Sequence, residues 1–124
     1  MVSVDFPTTP GKGKASISSS DTEVQEGLQI IDAALVSHGF VRDTNPSGAS
    51  VPGFIASYSR RNSEGLIALG DCPVVWFRGN RLEVTFSEGR APNYVATNAM
   101  VGVLRERLSS HYGSKRVTVE RDPG

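Results

Sequence analysis

The sequence predicts an α+β domain: a two-layer sandwich in which a mostly antiparallel sheet of four or five strands carries two helices on one face. Three observations lead there. Two segments place apolar residues at helical spacing, and each stops at a glycine. Several short segments alternate apolar and polar residues, the period of a half-buried strand. Finally, "VVWFRGNRLEVTFSEG", residues 74 to 89, reads as a β-hairpin around Gly79 and Asn80. With one apolar stripe per helix, both helices can be buried against one face of a single sheet, which leaves the other face open.

Taken in order, Val2, Val4 and Phe6 alternate with polar residues and suggest a short strand. "PTTPGKGKASISSS" follows, with too little apolar surface to offset its ordering entropy. Residues 1–19 are therefore expected to form a flexible N-terminal arm, and residues 20–122 a single α+β domain. Ser20 and Glu23 stand at capping-box spacing at the head of the first helix. Val24, Leu28, Ile31 and Leu35 form its apolar stripe. Gly39 and Phe40 supply the glycine and the hydrophobic contact of a Schellman stop.

"RDTNPSGASVPG" is dense in turn formers and reads as loop. The strand "FIASYSR" then sets Phe54, Ala56 and Tyr58 on one side and Ile55, Ser57 and Ser59 on the other. Leu66 to Leu69 is a second, shorter strand candidate. The hairpin comes next, from Val74–Arg78 and Arg81–Ser87. A second helix is expected from near Pro92 to His111 or Tyr112, burying Val101, Leu104 and Leu108 and ending at Gly113. "KRVTVER" closes the domain as a strand, and the intervening helix allows a right-handed crossover to a parallel position.

The hairpin decides where the only tryptophan points. A two-residue Gly79-Asn80 loop pairs Arg78 with Arg81, Phe77 with Leu82, Trp76 with Glu83 and Val75 with Val84. Leu82, Val84 and Phe86 alternate with polar residues and must face the core, so Trp76 goes to the other side. "VVWF" is apolar at every position and fixes no parity itself; a three-residue loop with a bulge would send Trp76 inward. The outward reading is taken forward, with two forms: a ring covered by the arm or by Arg78, or an exposed anchor for a partner.

Bulk properties narrow the function classes. The 124 residues carry thirteen Lys and Arg against thirteen Asp and Glu, so no basic excess advertises a nucleic-acid partner. Charge neutrality offers little repulsion between copies. Cys72 is the only cysteine, which excludes an internal disulfide framework and the usual Cys-rich zinc sites. No apolar run approaches the roughly 20 residues that span a bilayer, and the first twenty residues lack the apolar centre of a secretory signal. Cytoplasm is the expected compartment, or periplasm if a signal has been removed.

No constellation for catalysis emerges. Asp71 beside Cys72 would raise the thiol pKa rather than activate it. His38 and His111 each sit at a predicted helix end, where the carbonyl-rich terminus accounts for them. Ser109, Ser110 and His111 are adjacent, but neighbouring helix positions point apart. No catalytic residue, metal ligand or cofactor is assigned. Gly89 and Arg90, just before the second helix, make a candidate anion site.

The function expected from these residues is a small non-enzymatic interaction domain. It would bind a protein partner or itself through the open sheet face or a sheet edge, with Trp76, Arg78, Arg81 and Glu83 as the binding residues. One alternative is a nucleic-acid or anion-binding module using the same Trp/Arg hairpin face. Another is an enzyme whose residues converge only in three dimensions.

Overall fold

Alternation and turn chemistry build most of the sheet. The structure, a computed structural model, describes residues 1–6, 18–46, 48–61, 63–67, 72–86 and 94–120, and in the second helix the side chains from 99 onward. The elements run β1 (Val2–Asp5), α1 (Thr22–Ser37), β2 (Val41–Arg42), β3 (Phe54–Ser59), β4 (Val74–Arg78), β5 (Arg81–Thr85), α2 (Tyr94–Tyr112), a 3₁₀ turn (Ser114–Arg116) and β6 (Val117–Val119). Six strands form one sheet in the order β2-β3-β4-β5-β1-β6, and every neighbouring pair is antiparallel. This is the expected α+β sandwich with more strands than the four or five predicted. β2 holds two residues and is too short to show a period in the sequence. Leu66 and Ile67 form no named strand; Ile67 only bridges to Arg61, and both are exposed.

The first residues correct the predicted boundary of the arm. Val2 pairs with Val84 and Val4 with Leu82 on one side of β1, and with Val119 and Val117 on the other. Val2, Val4 and Phe6 are all buried, so the stretch gains the apolar burial that offsets its ordering cost. The remainder of that arm, residues 7–17, lies outside the described residues. β1 also changes the expected crossover. β5 and β6 run parallel to each other, joined through α2, but β1 lies between them and bonds antiparallel to both.

Local chemistry at the helix ends is partly as expected. Phe40 N–H donates to the Leu35 carbonyl (3.0 Å) and Gly39 N–H to that of Val36 (3.1 Å), the two bonds of a Schellman stop, with Phe40 buried. The capping box does not form. Asp21 is the N-cap residue of α1, and its carboxylate accepts from Ser18 N–H (3.1 Å) rather than from the helix. The inward stripe of α1 is Val24, Gly27, Ile31, Ala34 and Leu35, while Leu28 is only half-buried. Gly27 is where the helices meet: a Cβ there would fall 2.6 Å from the Tyr112 hydroxyl and 2.9 Å from the Leu82 side chain. The Tyr112 hydroxyl donates to the Glu23 carbonyl.

α2 buries Met100, Leu104 and Leu108, with Val101 half-buried beside them, and Gly113 N–H closes it on the Ser109 carbonyl (2.8 Å). The expected start at Pro92 lies outside the described residues. These side chains meet Val75, Leu82, Val84 and Phe86 from the sheet in one core. Among the described residues no helix is long and apolar enough to cross a membrane.

Two tyrosines at the helix–sheet junction give the fold an alkaline limit. Burial first, then the Asp32 carboxylate that accepts its hydrogen bond (2.6 Å), pushes the Tyr58 phenol far above its usual value. Burial, helped by the Glu26 charge, pushes Tyr112 to about 12. A raised acid pKa means the folded state holds the proton that the unfolded chain releases from about pH 10 upward. That stability is fully present below pH 10 and is lost as pH rises toward the folded-state values. Absorbance at 295 nm followed beside far-UV circular dichroism should therefore show these phenols ionising late, together with unfolding. Ionisation of all three tyrosines near pH 10 without loss of structure would contradict the burial of Tyr58 and Tyr112.

Candidate functional site on the outer sheet face

The hairpin register places the candidate residues. Gly79 and Asn80 both have positive φ (56° and 62°), as in a two-residue type I′ turn whose twist suits the flanking strands. The pairs are Arg78 with Arg81, Phe77 with Leu82, Trp76 with Glu83 and Val75 with Val84, as the sequence predicts. Val75, Leu82 and Val84 face the core, so Trp76, Arg78, Arg81 and Glu83 all lie on the face opposite the helices.

One neighbour on that face was not expected. Phe54 pairs with Trp76 and Ala56 with Val75, so two steps along β3 match one step along β4. Ile55 is the extra residue of a β-bulge, and the bulge turns Phe54 to the side opposite Ala56 and Tyr58. Alternation along "FIASYS" assigns Phe54 to the wrong face because it assumes an unbroken pleat. A row then crosses five strands: Phe54, Trp76, Glu83, Ser3 and Thr118. Ser3 is buried within it, and its hydroxyl has no hydrogen-bond partner among the described residues.

The patch is held in place. Trp76 Nε1–H donates to Thr85 Oγ1 (3.1 Å), and the Phe54 ring meets the indole edge-on at 5.8 Å between centroids. The Arg78 guanidinium lies over the indole at 4.6 Å and donates to Glu83 Oε2 at 2.7 Å. Arg81 Nε–H donates to Asp5 Oδ1 at 2.8 Å, which adds β1 to the site. Trp76 is consequently half-buried under its own neighbours rather than projecting alone. Of the covers considered for an outward ring, Arg78 is in place over the indole, which stays partly accessible, and residues 7–17 of the arm lie outside the described residues.

The other sequence candidates are dispersed. Gly89 and Arg90, the candidate anion site, lie outside the described residues. His38 Nδ1 lies 2.9 Å from the Ala34 carbonyl at the end of α1, and His111 Nε2 lies 2.9 Å from Glu26 Oε2. Cys72 is half-buried ahead of β4. Among the described residues no three His, Cys, Asp or Glu side chains group as metal ligands.

A concave feature lies elsewhere, under α1. A cleft of about 390 Å³ opens between α1 and β3, with Ile31, Ala56 and Val75 in its floor and Asp32, Arg42 and Tyr58 among its walls. A second hollow of about 430 Å³ shares Arg42, Ile55 and Ala56 with it. Neither is lined by Cys72, His38 or His111. No local spacing in the sequence points to this cleft, because Asp32, Arg42 and Tyr58 come from a helix, an edge strand and an interior strand.

No protein-family profile matches this chain, and comparisons with curated proteins and with solved structures give no significant match.

Proposed function

We propose that the protein is a small non-enzymatic interaction domain that binds a second copy of itself through the outer face of β3, β4 and β5. The observation that supports this reading is the pre-assembled Phe54–Trp76–Arg78 patch on the face without helices. Trp and Arg are the residues most often found at the energetic centre of protein interfaces, and their order here lowers the entropy cost of binding. A second copy is the occupant that fits the charges. Arg78 is matched by Glu83 and Arg81 by Asp5 within the chain. Such a patch can face itself across a two-fold axis without a like-charge penalty.

The same pairing counts against the nucleic-acid alternative. A phosphate would have to displace Glu83 and Asp5 from the two arginines.

The expected dimer is weak, with a dissociation constant between about 1 µM and 1 mM. Sedimentation velocity over that range should show the mass rising from one chain to two. Trp76→Ala should stay monomeric throughout while keeping the circular dichroism of the parent. A parent chain that remains monomeric across the range would overturn the proposal, as would a dimer that Trp76→Ala leaves intact.

A further inference from the structure

We infer that the cleft under α1 is a binding site for a small zwitterion with an apolar side chain, of the class of the aliphatic amino acids. This site is separate from the outer sheet face and does not depend on it. Its floor is made of core side chains: Ile31 of α1 and the paired Ala56 and Val75 of the sheet are buried in the protein core yet line the cleft. A volume of about 390 Å³ lies at the lower end of ordinary small-molecule sites.

Two opposite charges line this cleft, with Gln25 and Gln29 among its other polar residues, without neutralising each other. The Tyr58 hydroxyl donates to Asp32 Oδ1 at 2.6 Å, which fixes the carboxylate, and Oδ2 has no donor among the described residues. Arg42 contributes a guanidinium from the edge strand β2 and makes no ion pair with Asp32 or with any other described residue. A ligand carrying both an ammonium and a carboxylate pairs with each group, Asp32 half-buried and Arg42 exposed, whereas a ligand with one charge forgoes one of the two charge-assisted contacts. The apolar floor then takes the side chain, and each methylene it buries favours binding. Arg42 also borders the second hollow.

The test uses the full chain with ¹³C-labelled methyl groups and L-leucine as the probe. Methyl resonances of Ile31, Ile55 and Val75 should shift and saturate below about 10 mM ligand. The comparators are 4-methylpentanoate, which lacks the ammonium, and 3-methylbutylamine, which lacks the carboxylate. Each should bind at least about tenfold more weakly, as should L-leucine to Arg42→Ala and Asp32→Asn. The comparators act on the unaltered protein, so the result stands even if a variant fails to fold. The absence of a saturable shift, or comparators that bind as tightly as L-leucine, would overturn the inference.

Discussion

Val75→Asp is expected to abolish folding, whereas Val74→Asp, one residue away, is expected to leave the fold intact. Val75 is 1% exposed and faces Val84 on the helix side of the sheet. A carboxylate there has no described partner to pair with, and removing a buried group's packing while adding an unpaired charge costs upwards of about 4 kcal/mol. That is a large part of the roughly 5–15 kcal/mol by which a domain of this kind is stable. Val74 is half-buried opposite Thr85 on the outer face, so the same change there costs only the poor strand propensity of Asp, about 1 kcal/mol or less. Urea denaturation of the two variants reads the hairpin register directly. Equal loss from both, or the reverse order, would mean the strand presents the other face.

Phe6→Ala should remove about 3–5 kcal/mol, the usual cost of emptying a buried phenylalanine site. Phe6 is 2% exposed just beyond β1, edge-on to Tyr112 at 5.4 Å and to Phe77 at 6.1 Å, with the Arg116 guanidinium 5.2 Å from its ring centre. Arg116 Nε–H also donates to the Asp5 carbonyl at 2.9 Å. The side chain therefore fastens the N-terminal strand to both the hairpin and the end of α2. If residues 1–6 were a dispensable arm, the variant would unfold at the same urea concentration as the parent.

What could be read in the sequence was set by chemistry acting over a few residues. The Gly79-Asn80 turn and the alternation of "RLEVTF" determine the hairpin register, and that register turns Trp76 outward even though "VVWF" is uninformative. Gly39 and Phe40 stop α1 by hydrogen bonds to residues within one turn. The misplaced features depend on partners far along the chain. Phe54 crosses to the outer face because β3 bulges against β4, and "FIASYS" carries no irregularity that announces it. Val2 to Phe6 show the period of a strand, but their place between β5 and β6 depends on residues some eighty and more than one hundred positions away. The cleft too is a product of tertiary packing, since Asp32, Arg42 and Tyr58 come together only when α1 lies across the sheet.

Because Trp76 is the only tryptophan, its emission maximum and acrylamide quenching report the proposed interface alone. The measurement is a dilution series from about 1 mM to 1 µM, spanning the range expected for the dimer. The account predicts a blue-shifted, protected signal at high concentration that turns red-shifted and more readily quenched on dilution, with the midpoint seen by sedimentation. An emission maximum and quenching constant that do not change with concentration would show that no second copy covers the ring, and the outer face would lose its assigned role.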